Sequence, residues 1–153
     1  MILRGSVLYG ADDMVGDWVG RQIEGYISTP GATALGVVKG GRLVAGVVYE
    51  RFNGFHCEAS IAARAGTSWA DRATLFALFD YPFGQLGCEA VTVLVPGSNL
   101  SSLNLATKLG FEPQAIVNFA APDGSPLIVL QQFRNTCKWV SYGQGQEQRT
   151  GGT

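Results

Sequence analysis

The segment from Ala90 to Phe111, AVTVLVPGSNLSSLNLATKLGF, constrains the fold more than any other, because its hydrophobic period changes twice along its length. Val91, Val93 and Val95 alternate as a β-branched run, and Pro96-Gly97 breaks it. Asn99 or a neighbouring serine can cap the helix that follows, Leu105 and Leu109 fall on one face of it, and Gly110 supplies a left-handed stop. Phe111 then opens a new extended segment. A buried strand, a turn, a short helix and a return to strand imply an α/β chain.

The remaining segments continue this alternation. Residues 2–9 read as a strand. Asp12 or Asp13 can cap a helix whose stripe is Val15, Trp18, Val19 and Ile23, and Thr29-Pro30-Gly31 ends that region. Residues 33–38 and 43–50 flank Lys39-Gly40-Gly41-Arg42, and Asn53-Gly54 separates the second strand from residues 55–63. Both turns are hairpin signals, so three antiparallel strands are expected. Residues 68–86 carry Leu75, Leu78, Phe79 and Phe83 at helical spacing, with Pro82 placed to kink or end the helix. Residues 115–120 and 127–133 form a last hairpin around Pro122-Asp123-Gly124-Ser125. The aromatic stripe Phe76, Phe79 and Phe83, with Trp18 and Trp139, reads as core. The expected architecture is one α/β domain over residues 1–142, a mixed central sheet in the order β-α-βββ-α-β-α-ββ, followed by a flexible polar tail, 143–153.

Composition narrows the function classes. The chain has 153 residues, 46% hydrophobic and 15% charged, enough for a substantial core. Eleven basic and 12 acidic residues give a net charge of −1, so no global basic footprint points to nucleic acid. Cys57, Cys88 and Cys137 are odd in number and lack metal spacing, which argues against a disulfide framework or a zinc site and fits a reducing cytoplasm. No apolar run approaches the roughly 20 residues that span a bilayer, and no signal core is present at the N-terminus.

The spacing Asn99, Ser102, Leu105, Lys108, Gly110, Phe111 resembles the N-x-x-A-x-x-L-Y-x-K-x-G-F signature of the GCN5-related N-acetyltransferases, the GNAT superfamily. The order of elements is similar to that fold over roughly residues 3–140. Residues 69–86, with YPFGQLG, and the FRNTCKWV segment also resemble short acetyltransferase-like proteins often encoded by bacteriophages and prophages. The resemblance implies that the strand at 55–63 and the strand at 90–95 lie side by side, parallel, and splay apart to admit the pantetheine arm of an acyl-coenzyme A.

It also implies a set of site residues. Family members hold the pyrophosphate on a glycine-rich turn and the helix N-terminus behind it, where N–H groups and the helix dipole attract phosphate. The corresponding stretch is Arg64-Ala65-Gly66-Thr67-Ser68-Trp69-Ala70-Asp71-Arg72, with one glycine where the family usually has two or more. Ser68 and Asp71 form a capping pair, Arg64 or Arg72 supplies positive charge, and Trp69 can crowd the same space. The amide that polarises the thioester carbonyl falls around Ser60, Ile61 and Ala62. Glu58 is the candidate base, with His56, the single histidine, two positions away on the same face and Tyr49 and Glu50 on the preceding strand as weaker candidates. Asn99 is the candidate cofactor contact, with Ser102 beside it. The family's tyrosine acid is replaced by Ala106. The implied activity is transfer of an acetyl group from acetyl-CoA, without a metal, to a small-molecule or protein amine, with a homodimer possible. The alternative is a non-catalytic binding or regulatory protein on the same fold.

Overall fold

The computed structural model describes residues 1–23, 26 and 28–140. The elements are β1 (Ile2–Arg4), β2 (Val7–Tyr9), α1 (Asp12–Gln22), β3 (Thr33–Lys39), β4 (Arg42–Glu50), β5 (His56–Ala63), α2 (Arg72–Asp80) with a π-helical turn at Tyr81–Gln85, β6 (Ala90–Pro96), α3 (Leu100–Leu109), β7 (Glu112–Val117) and β8 (Leu127–Phe133). All eight strands lie in one sheet, ordered β1-β2-β3-β4-β5-β6-β8-β7. Neighbours are antiparallel except β5 and β6, which are parallel because α2 carries the chain back over the sheet between them. This is the mixed sheet expected from the order of elements. The tail expected at 143–153 lies outside the described residues.

Five local expectations are revised. Residues 2–9 are a hairpin, with Arg4 opposite Val7 across Gly5-Ser6, because the chain reverses at that glycine. Neither Asp12 nor Asp13 caps α1; the capping position is Ala11, and the Asp12 carboxylate accepts the Ala34 N–H at 2.9 Å, tying helix to strand. The helix expected from Ser68 begins at Arg72, because Asp71 captures the Thr74 N–H at 2.8 Å and Ser68 is left outside. The last strand pair includes Glu112–Val117, earlier than residues 115–120. Phe76 is 45% exposed and leaves the aromatic core to Phe79, Phe83 and Trp18. The stops at both other helix ends stand: α2 gives way to the π-helical turn at Pro82, and Gly110 closes α3 at φ 102°.

The sheet separates two cores. On one face Val47, Tyr49, Cys57 and Ala59 pack with Trp69, Leu75, Leu78, Phe79, Leu109 and Phe111 from the α2 and α3 side. On the other, Ala34, Val48 and Ala62 meet Val15, Trp18 and Val19 of α1. That second contact is close because Gly46 has no side chain: a Cβ there would lie 2.8 Å from Val19 Cγ2 and 3.1 Å from Val15 Cγ1. Neither valine can swing away without lifting α1 from the sheet. Gly46→Ala is therefore expected to lower the unfolding free energy by about 1–3 kcal/mol in urea titrations, as over-packing of a dense core does. Unchanged stability would show that α1 is not seated on this strand.

Candidate functional site

The parallel β5–β6 pair is short. It joins His56 to Ala90, Cys57 to Val91 and Glu58 to Thr92, and ends there, although both strands continue to Ala63 and Pro96. The peptide groups left facing the gap follow from register. Arg64 N–H donates to Val44 C=O at 2.7 Å, and Arg64 and Val44 are directly opposite in the antiparallel β4–β5 ladder. Hydrogen-bonded pairs alternate along such a ladder, so Ala62, Ser60 and Glu58 are bonded to β4. Ile61 turns its N–H and C=O the other way, into the gap. Of the three residues expected to carry the polarising amide, the structure places Ile61 at the opening.

The loop after β5 is anchored at both ends. Arg64 Nε donates to Leu43 C=O at 2.9 Å and its guanidinium lies 5.7 Å from the Trp18 ring centroid, so this cation is held against β4 and α1. At the far end Asp71 caps α2 and pairs with Lys39 at 3.3 Å. The Thr74 N–H, helped by Lys39, holds the Asp71 carboxyl below its ordinary range. Between the anchors Gly66 and Ser68 are exposed, and Thr67 donates to Arg64 C=O at 2.8 Å. Trp69, by contrast, is 5% exposed and turned into the α2–α3 core. Arg72 is exposed at the first helical position. Across the gap Asn99 accepts the Ser102 N–H at 3.1 Å, which caps α3 and leaves the Asn99 amide N–H groups for another partner.

The opposite face of β5 carries the polar residues. Ala62 packs under α1, so its period-two neighbours Ser60, Glu58 and His56 share that face. Glu58 has 26% of its side chain exposed and one oxygen 3.5 Å from Arg51 Nη1. Arg51 also lies 3.9 Å from Glu50; its backbone is left-handed at φ 56°, a geometry that costs a non-glycine residue about 1 kcal/mol and brings the guanidinium back to both acids. His56 Nε2 is 2.6 Å from the Thr92 hydroxyl, which also accepts from Gln131 Nε2 at 3.0 Å. Glu58, the candidate base, thus sits at the last pair before β5 and β6 part, and His56, the single histidine, starts the pairing and reaches Thr92 on that last pair. Among the described residues no group of three or more His, Cys, Asp or Glu side chains is placed to hold a metal ion.

Glu50 has a larger role than the sequence suggests; Tyr26, Arg51, Thr92 and Gln131 carry no site signal in the sequence, and Thr29 is marked there only as part of the turn Thr29-Pro30-Gly31. An acid ending a strand that is otherwise buried, with Arg next to it, is a signal for Glu50; nothing local marks Tyr26 or Thr29 as its partner. The Glu50 side chain is 2% exposed and accepts from Tyr26 Oη at 2.6 Å, Thr29 N–H at 2.6 Å and Thr29 Oγ1 at 2.7 Å. Burial alone would raise its pKa, but these donors and Arg51 outweigh it and hold the carboxyl below its ordinary range. Burial, then Glu50 itself, pushes the Tyr26 phenol far up, so Tyr26 stays a neutral donor, with Ser60 as its second partner. Glu50 is therefore a fixed anion that ties the loop before β3 to the end of β4.

Because its folded pKa is depressed, the stabilisation from Glu50 is full above the unfolded value and lost as pH falls through the folded one. Glu50→Gln is expected to unfold more easily than wild type by about 1–3 kcal/mol at pH 7, with the difference shrinking below about pH 4. Denaturant curves at both pH values check this. A gap that is absent at pH 7, or that widens on acidification, would contradict it.

No protein-family model matches the sequence, and no curated protein matches it significantly. Solved structures do match it. A variant of spermidine N-acetyltransferase SpeG from Vibrio cholerae superposes with TM-score 0.69 at 12% identity, over 88% of this chain and 98% of that one. Ribosomal-protein-S5-alanine acetyltransferase from Vibrio fischeri gives 0.57 at 15% identity over 70% of this chain, which spans 64% of its length. Campylobacter jejuni N-acetyltransferase PseH, in complex with acetyl coenzyme A, gives 0.52 at 13% identity over 69% and 70% of the two chains. The sheet, its helices and its parting strands are thus those of the N-acetyltransferase fold.

Proposed function

We propose that this protein is an acyl-coenzyme A-dependent N-acyltransferase that moves an acetyl group from acetyl-CoA to an amine. The observation that carries the reading is the end of β5–β6 pairing at Glu58 and Thr92, with the Ile61 peptide facing the gap beyond it. An extended, amide-bearing arm such as pantetheine fits between two such strands, because it can hydrogen-bond to peptide groups that have no strand opposite. Acetyl-CoA, when bound, supplies an activated thioester carbonyl.

The chain's own residues divide the remaining work. Ile61 N–H is the donor available to a carbonyl oxygen at the parting point. Glu58, on the face with His56 and Ser60, accepts the proton of an amine entering from the α1 side, and its contact with Arg51 keeps it oriented. The anchored Glu50, with Tyr26 and Thr29, shapes that side of the entrance. The phosphates fall to the exposed turn at Gly66, Thr67 and Ser68 and to Arg72, and Asn99, with Ser102 behind it, offers its amide to the arm from across the gap. No tyrosine acid is needed for a thiolate leaving group, because thiols are already fairly acidic. The acceptors named for the similar structures, spermidine and a ribosomal-protein alanine, are amines.

The second reading, a non-catalytic binding protein on this fold, is favoured by one observation. Trp69 is buried beside Ala59 and Ile61, where the α2 side of the gap would have to receive the arm.

Calorimetry with coenzyme A and an acetylation assay over a panel of amines separate the two. The enzyme reading expects saturable binding, an acetylated product, and a fall in rate of about 10²-fold or more for Glu58→Gln with coenzyme A affinity unchanged. Tight binding of coenzyme A with full activity in Glu58→Gln would remove Glu58 as the base. Absence of coenzyme A binding would leave the non-catalytic reading.

A further inference from the structure

We infer that Trp69 is a gate on the cofactor cleft, closed in the free protein and displaced when an acyl-coenzyme A enters. The inference rests on the cofactor reading above and adds to it a conformational step that the ligand must drive.

Three observations converge on this residue. The first is position. Ala59 and Ile61, on the part of β5 where pairing with β6 stops, share one small cavity wall with Leu109 and Phe111 from the far end of α3, and Trp69 stands in that same wall. The space left among them is about 10 Å³, barely one water molecule and far too small for an acyl-pantetheine arm. The second is that Trp69 is out of character with its segment. From Arg64 to Arg72 it is the only buried residue, every other member is exposed or partly so, and residues 64–71 form neither helix nor strand. One indole therefore fastens an otherwise solvated loop to the core.

The third is the way the loop is held at its ends. Arg64 is fixed by the Leu43 carbonyl and the Trp18 ring, and Asp71 by the Thr74 N–H and Lys39. These anchors let residues 65–70 move without unravelling β5 or α2. Gly66, at φ 75°, gives the segment a left-handed turn between the anchors. Swinging the indole outward opens the cavity under Ile61 and breaks no hydrogen bond of the flanking elements.

A closed state that must be displaced lowers apparent affinity by the fraction of molecules that are open. Trp69→Ala is therefore expected to bind coenzyme A about tenfold or more tightly than wild type, and Trp69→Phe to fall between them. In wild-type protein labelled with 5-fluorotryptophan, the resonance that disappears in Trp69→Phe should shift and become solvent-sensitive when coenzyme A is added, while those of Trp18 and Trp139 change little. This spectrum needs only the conservative Trp69→Phe, to identify the resonance, so the test stands even if Trp69→Ala does not fold.

Binding by wild type with the Trp69 resonance unmoved, or equal or weaker affinity in Trp69→Phe, would overturn the gate and leave the cofactor reading intact. Binding by the Trp69 variants alone would support a gate that is firmly shut. Failure of wild type and both variants to bind coenzyme A would overturn the cofactor reading and the gate with it.

Discussion

The crossover through α2 returns the chain so that β6 lies beside β5 in the same direction, and this parallel pair holds for three residues before it parts. The contacts that flank this pair are longer antiparallel ladders. β4 runs beside β5 from Ala45 opposite Ala63 to Glu50 opposite Glu58, and β6 beside β8 from Ala90 opposite Phe133 to Pro96 opposite Leu127. Each half of the sheet is thus held by its own outer neighbours, so the strands can diverge at the centre without either losing its place. The divergence is what gives a continuous sheet an opening.

Both faces of the opening are built by packing against these two halves. On one side α1 is pressed onto β4 through Gly46, and the loop after it delivers Tyr26 and Thr29 to the carboxylate of Glu50. The anion, Arg51 and Glu58 then form a chain of charge along the strand ends, next to the His56, Thr92 and Gln131 hydrogen bonds that bridge β5, β6 and β8. On the other side α2 and α3 enclose an apolar core in which the Trp69 side chain is included. Polar chemistry and apolar closure are separated by the thickness of one sheet.

Much of this was legible in the sequence, because it is written in periodicity. The alternating valines of β6, the Asn99 cap and the Gly110 stop of α3 are local signals with local causes, and all three are present in the fold. The GNAT-like order of elements was readable for the same reason. What the sequence hid depends on competition or on distance. Asp71 rather than Ser68 begins α2 because its carboxylate reaches the Thr74 amide, and the two residues look equally able until the loop is built. Gly5-Ser6 turns a strand into a hairpin, although the flanking residues are all good strand formers. The grouping of Tyr26, Thr29, Glu50 and Arg51 joins two segments more than 20 residues apart, and which peptide of Ser60, Ile61 and Ala62 faces the gap is a matter of ladder parity that no composition reveals.

The account stands on the claim that the gap between β5 and β6 is where an acyl-coenzyme A is held, along peptide groups that have no strand partner. Backbone amide spectra recorded through a coenzyme A titration test it most directly. The largest changes are expected at Ile61 and Leu94 on the two sides of the gap and at Gly66 to Trp69 in the loop, with the β1–β2 hairpin and the N-terminal turn of α1 unaffected. Changes confined to those distant elements, or an unperturbed Ile61 at saturating coenzyme A, would contradict it.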